Sequence, residues 1–223
     1  MRGTQATLFD PPDEPHPALA TILEEFPYLR PPYLFRRVPR DVKAWWHVMG
    51  LLANIQLDRL AMVRLMRTRL IPRAPTPAAG ARLSYDWLHG MFLPYHKATP
   101  GLAAMKASRI PGVGAQLAAL GEIPRTREGL MAIHGIGGHI ADLVLAQVDG
   151  DGSRFAVDMH TKRVLPRLGL KPTDLWEPMV ERESRAHLSC AITYLGRKYC
   201  RPKKPRCNVC PVRAHCPTGG EKS

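Results

Sequence analysis

Acidic residues are scarce in this chain: 19 Asp and Glu stand against 32 Lys and Arg in 223 residues, a formal net charge of +13. That imbalance excludes no fold, but it favours a polyanionic partner whose counterions are released as phosphates are neutralised. Long apolar runs are also missing. No stretch approaches the roughly 20 residues that span a bilayer, so no membrane role is expected. The N-terminus has no basic segment leading into an apolar one, so no secretory leader is expected either. Cysteine is absent before Cys190, and four of the five crowd together at Cys200, Cys207, Cys210 and Cys216. This excludes a spread disulfide framework and points to metal ligation in a reducing cytosol. Strand-like alternation is scarce, and the chain reads as all-α. With 45% hydrophobic residues it has enough apolar material for one large or two small cores.

Residues 1–17 are rich in proline and polar residues and are expected to be disordered or loosely attached. A short helix is predicted over Ala18 to Glu25, ended by Pro27. Pro31, Pro32 and Pro39 then keep the chain irregular as far as Asp41, a candidate N-cap. From Val42, apolar residues fall at helical spacing, with Val42, Trp45, Trp46, Met49, Leu52 and Ala53 on one face. Leu60, Val63, Met66 and Leu70 continue the pattern on a second helix, with Arg59, Arg64, Arg67 and Arg69 interleaved. Pro72 to Gly80 reads as a loop. Further helices are predicted over Tyr85 to Leu93, Thr99 to Ser108 and Gln116 to Leu120. Ile110-Pro-Gly-Val-Gly114 has the look of a hairpin, but a short, weakly periodic stretch follows it, so it is read as a structural turn.

Thr126 to Gly150 reads TREGLMAIHGIGGHIADLVLAQVDG. A helix capped by Thr126 is predicted to run to Ile133, and His134-Gly135-Ile136-Gly137-Gly138 to turn sharply. A second helix follows over His139 to Val148, with Ile140, Leu143, Val144 and Val148 on its buried side and Gly150 as its stop. Such a turn points backbone N–H groups outward at the positive end of the second helix, where a phosphate is welcome. An ordinary helix–helix turn has the same local sequence. Next comes Phe155-Ala-Val-Asp158-Met-His160, where Asp158 stands at a helix start; the local sequence favours a capping role over a catalytic one.

The cysteines run Cys200-x6-Cys207-x2-Cys210-x5-Cys216, with Arg201, Lys203, Lys204 and Arg206 in the first gap. Paired Cys-x2-Cys knuckles favour tetrahedral zinc. Only one tight pair is present here, and ligands on longer arms suit a four-iron cubane equally well. The spacing leaves the two near even. No acidic residue lies between Glu183 and Glu221, so the loop is a strongly basic surface suited to phosphate contacts. Cys190, within an apolar helix, reads as a buried small residue rather than a ligand.

Together these pieces resemble endonuclease III and its relatives, the helix–hairpin–helix DNA glycosylases carrying a [4Fe–4S] cluster. The resemblance rests on Ile133-His-Gly-Ile-Gly137, on Val157-Asp158-Met-His160, and on Leu195-Gly-Arg-Lys-Tyr-Cys200 with the three later cysteines. It implies a two-lobed all-α fold. A six-helix barrel with the hairpin would occupy residues 42–151, and residues 18–41 with 152–223 would form a cluster domain. It implies a [4Fe–4S] cluster on the four cysteines. It also implies double-stranded DNA with damaged bases or abasic sites as partner, bound by a monomer in the cytoplasm, at the nucleoid.

The contacts would come from His134, Gly135, Ile136, Gly137, Gly138, His160, Arg201, Lys203, Lys204 and Arg206. The target nucleotide would be flipped into a cleft, with Gln56, or else Asn54, filling the gap it leaves. Asp158 would assist departure of the base. Where bifunctional members carry a Schiff-base lysine, the register here puts His139, which forms no stable imine. The resemblance therefore implies a monofunctional glycosylase acting on an oxidised pyrimidine or a mismatched base, with water as nucleophile and His139 beside it. Strand cleavage would need another amine, such as Lys162. The alternative is a nearly inactive binder of damaged or abasic DNA. A larger adenine-specific relative is not expected, since the chain ends seven residues after Cys216.

Overall fold

The computed structural model describes residues 16–26, 39–54, 57, 59–170 and 180–220. Residues 1–15 of the expected tail, Pro27, Pro31, Pro32 and Gln56 therefore lie outside the described residues. Among the described residues all regular structure is helical, and no helix is long and apolar enough to cross a membrane. Two compact units divide the chain: one within Tyr33–Gly150, the other within Met1–Pro32 together with Asp151–Ser223.

The second of these units begins with α1 (Pro17–Glu25), one residue earlier than the apolar pattern suggested because Pro17 takes the first turn. Its Ala18, Leu19 and Ile22 are buried.

The unit within Tyr33–Gly150 is built on α2 (Arg40–Ala53). Asp41 does not cap this helix as expected. Pro39 holds the N-cap position and Asp41 falls in the first turn, where its charge suits the helix dipole. Arg40 reaches Asp149 through two hydrogen bonds of 2.8 and 2.7 Å and the Ile123 carbonyl at 2.6 Å, so the start of α2 is fastened to this unit. Ala44, Trp45, Val48, Met49, Leu52 and Ala53 are buried, while Val42 and Trp46 are half-buried.

Next comes α3 (Arg59–Leu65), which passes into a π-helical turn, Met66–Leu70, and then α4 (Ile71–Arg73). Arg64, Arg67 and Arg69 are exposed. The loop expected over Pro72 to Gly80 is shorter than predicted, because Thr76 caps a further helix, α5 (Pro77–Ala81), accepting from the Ala79 N–H at 3.2 Å. The indoles of Trp45 and Trp46 donate to the Ala74 and Pro75 carbonyls at 2.8 and 3.1 Å and hold the remaining connection.

Ser84 caps α6 (Tyr85–Phe92), a 3₁₀ turn Leu93–Tyr95 follows, and α7 (Pro100–Leu120) crosses the unit. The turn expected at Ile110–Gly114 is not there: α7 runs through it unbroken for 21 residues. Ala103, Ala107, Ile110, Gly114 and Leu117 keep one buried stripe across Pro111 and Gly112, so tertiary burial outweighs the hydrogen bond that Pro111 cannot make. Gly114 lets α5 approach closely, since a Cβ there would lie 2.8 Å from both the Ala81 nitrogen and the Pro77 oxygen. Then come α8 (Arg127–Met131), capped by Thr126, and α9 (Gly138–Val144). The predicted helix to Val148 changes character at Leu145 and ends as a π-helical turn, Leu145–Asp149, with Gly150 at φ 73°.

The chain returns to the other unit with α10 (Thr161–Arg167), α11 (Arg185–Lys198) and α12 (Pro217–Gly220). Here α1 and α11 pack together. Phe26 meets Tyr194 edge-on at 5.3 Å between ring centroids, and His187 Nε2 donates to the Phe26 carbonyl at 2.8 Å.

Candidate nucleic-acid interface and catalytic carboxylate

The hairpin joins α8 to α9. Gly135 adopts φ +102°, a left-handed conformation that only glycine takes at no cost, and the same site faces Val113, which a Cβ would meet at 3.0 Å. Ile136 is buried and plugs the turn into the core, while His134 and Gly137 are exposed. Gln116 on α7 pins the turn from outside. Its Oε1 accepts from the His134 N–H at 2.8 Å and its Nε2 donates to the His134 carbonyl at 3.1 Å. Thus the His134 amide is already committed. Gly137 caps α9 with no side chain, leaving Gly138 and His139 as the first two helical residues. Gly138 lies under the Arg127 guanidinium, which Asp142 holds at 2.9 Å.

In the other unit, His160 is the N-cap of α10, and the Asp158 carboxylate two residues ahead of it accepts three hydrogen bonds. Oδ1 takes the Thr161 N–H at 2.7 Å and the Thr161 hydroxyl at 3.0 Å; Oδ2 takes the Thr193 hydroxyl at 2.9 Å. The sequence places the N-cap at Asp158, whereas His160 holds that position; Asp158 still takes the N–H of the first helical residue, and Thr193 orients its second oxygen. Next to this carboxylate, Met159 is 68% exposed. His160 is half-buried, and its Nδ1 accepts from Arg163 Nη2 at 2.9 Å. Arg163 also donates to the Gly196 carbonyl at 3.0 Å and, through Nε, to the Cys200 carbonyl at 2.9 Å.

All four candidate ligand cysteines line one recess, walled by Val164, Leu168, Leu195 and Val212. They carry free thiols, as does half-buried Cys190 on α11. Burial pushes the Cys210 and Cys216 thiols up, and the neighbouring cysteine sulfurs add to it. Among the described residues no group of three or more His, Cys, Asp and Glu side chains is arranged to hold a metal ion. The loop across the recess presents Arg201, Lys203, Lys204 and Arg206 to solvent. Arg167 braces it, donating to the Arg201 carbonyl at 2.8 Å and the Pro202 carbonyl at 2.9 Å, with Cys200 Sγ at 3.4 Å.

Sequence reasoning named the hairpin, Asp158, the cysteines and the basic loop, and missed Gln116, Thr161, Arg163, Arg167 and Thr193. For the two arginines a signal existed: they stand one helical turn apart directly after the Asp158 segment. Gln56 lies outside the described residues. Asn54, its alternative, caps the end of α2, with Oδ1 buried and unbonded among the described residues. His139 is half-buried. Exposed Leu93 and Tyr95 also escaped notice.

No protein-family model matches the chain. Among solved structures, a non-covalent endonuclease III–DNA complex superposes with a TM-score of 0.69 at 23% identity, covering 92% of this chain and 94% of that one. A thermostable thymine-DNA glycosylase superposes with a TM-score of 0.68 at 15% identity, over 91% and 95%. The fold is thus the helix–hairpin–helix glycosylase fold. In sequence the chain is 33% identical over 105 residues to endonuclease III of Synechocystis sp., covering 44% of this chain and 48% of that protein. It is 29% identical over 134 residues to endonuclease III of Thermotoga maritima, covering 52% and 58%. To endonuclease III homolog 2, chloroplastic, of Arabidopsis thaliana it is 34% identical over 112 residues, 44% of this chain and 29% of that one. Part of the chain therefore resembles endonuclease III in sequence, and the matches cover 29–58% of these relatives' length.

Proposed function

We propose that this protein is a DNA glycosylase of base-excision repair that hydrolyses the N-glycosidic bond of a damaged or mismatched base, an oxidised pyrimidine first among the candidates. The observation that carries the reading is the Asp158 carboxylate, held by three hydrogen bonds beside an exposed loop in an endonuclease III-like chain. A carboxylate held in a fixed orientation stabilises positive charge developing on the sugar as the base departs. His139 stands where this family's lyases place an amine, so the reaction ends with water and an abasic site. The hairpin and the loop Arg201–Arg206 each supply contacts to the phosphate backbone, which anchor duplex DNA without reading its sequence.

Cys200, Cys207, Cys210 and Cys216 fit a [4Fe–4S] cluster: four sulfur donors spread around an apolar recess suit the corners of a cubane. When bound, the cluster would cross-link the basic loop. A metal-bound preparation that is colourless and contains stoichiometric zinc would overturn this assignment.

Labelled duplexes bearing oxidised pyrimidines, uracil or mismatches, treated with hot alkali after incubation, report base release. No release from any lesion at stoichiometric protein would sink the enzymatic reading. Asp158→Asn is expected to abolish release and retain affinity for DNA. His139 also favours a second reading, a binder of damaged or abasic DNA with no turnover, for which Asp158→Asn would change nothing measurable but stability. Strand cleavage without alkali would point to another amine, such as Lys162.

A further inference from the structure

Helix α11 carries a stripe of small residues, Ser189, Thr193 and Gly196, at spacings of four and three, so all three lie on one helical face. Each of the three meets the segment that bears Asp158. The Ser189 hydroxyl donates to the Ala156 carbonyl at 2.6 Å. The Thr193 hydroxyl lies 2.9 Å from Asp158 Oδ2. Gly196 gives its carbonyl to Arg163, and a Cβ on it would lie 2.8 Å from His160 Nδ1. The residues on either side of the carboxylate are thus fixed against one helix, and Thr193 touches the carboxylate itself.

A threonine inside a helix ordinarily bonds the carbonyl four residues back. Thr193 has that option, since the Ser189 carbonyl lies at 3.0 Å. The hydroxyl has a single proton and two acceptors, and the bond to an ionised carboxylate is the stronger of the two. Oδ1 is already taken by Thr161, which leaves Oδ2 as the oxygen that, among the described residues, the Thr193 hydroxyl directs.

We propose that Thr193 is the positioning residue of the catalytic carboxylate: its hydroxyl fixes the torsion of the Asp158 carboxyl group so that the negative charge is aimed at the sugar. This rests on the reading of Asp158 given above. Ser189 and Gly196 seat the flanking backbone, so the aim is set by α11 rather than by the loop's own conformation. Electrostatic catalysis depends on such orientation being in place before charge develops.

Two synthetic duplexes test this without knowledge of the lesion. One carries a neutral tetrahydrofuran abasic nucleotide; the other carries a cationic pyrrolidine in its place, which mimics the charge on the departing sugar. The wild-type protein is expected to prefer the pyrrolidine duplex, and Asp158→Asn to lose that preference. Thr193→Val, which keeps the shape and removes the hydroxyl, is expected to cut the preference by about five- to tenfold. Its affinity for the tetrahydrofuran duplex and its thermal midpoint should stay unchanged, and Thr193→Ser should restore the preference. If Asp158→Asn loses the preference while Thr193→Val retains it in full, the positioning role is overturned and the reading of Asp158 stands. If the wild type shows no preference at all, the reading of Asp158 fails and takes this proposal with it.

Discussion

Lys106 lies fully buried in the unit within Tyr33–Gly150, where its ammonium donates to the Ala53 carbonyl at 2.7 Å and meets His96 Nε2 at 2.7 Å above the Phe92 ring. Lys106→Met is expected to cost about 2 kcal/mol, because the last carbonyl of α2 loses its donor in a buried place; urea unfolding measures it. Since the lysine donates, His96 must accept and stay neutral. Burial first, then the Lys106 charge, push its pKa below 6.5, and burial does the same to His47. Protons therefore bind the unfolded chain more readily, so this stability is complete above pH 6.5 and is lost as pH falls below it. Urea midpoints on either side of 6.5 should show the decline, smaller in Lys106→Met because one cause of the His96 shift is gone. The cysteines, the hairpin glycines and Asp158 were legible because their chemistry is local. Lys106 and Thr193 were not, since their partners lie 53 and 35 positions away.

At the level of elements, α7 is the instructive case. Proline and two glycines in five residues predict a turn, and an isolated peptide of that sequence would be a poor helix. What keeps it helical is the stripe from Ala103 to Leu117 facing the core and the tight crossing with α5 at Gly114. Two glycine substitutions separate these effects. Gly114→Ala is expected to destabilise by about 1–3 kcal/mol, because the clash is with backbone atoms of α5 that cannot rotate aside. Gly112→Ala meets nothing within 4 Å and is expected to stabilise by about 0.5–1 kcal/mol through helix propensity. Thermal midpoints moving in opposite directions would confirm the account; two shifts of the same sign would refute it. By contrast, α8 begins directly after Thr126 as expected, since capping is a local hydrogen bond that sequence reveals directly.

For the molecule as a whole, the charge of +13 is the property that acts at a distance. Lys203 and Lys204 stand exposed on a loop braced by Arg167, away from the carboxylate's own hydrogen bonds. Replacing both with alanine is expected to weaken binding to damaged and undamaged duplexes alike. The slope of log affinity against log salt should fall by about 2, at about 0.9 per lost phosphate contact. An unequal loss between the two duplexes would mean that the loop reads the lesion rather than the backbone. Composition, periodicity and spacing by themselves determined the all-α class, the basic surface, the hairpin and the four-cysteine motif, because each is a property of neighbouring residues. Tertiary structure decided the rest: the continuity of α7, the burial of Lys106, and the α11 face that aims Asp158. Each of these is a balance between a local preference and a contact with a remote part of the chain, and only the folded packing sets which one prevails.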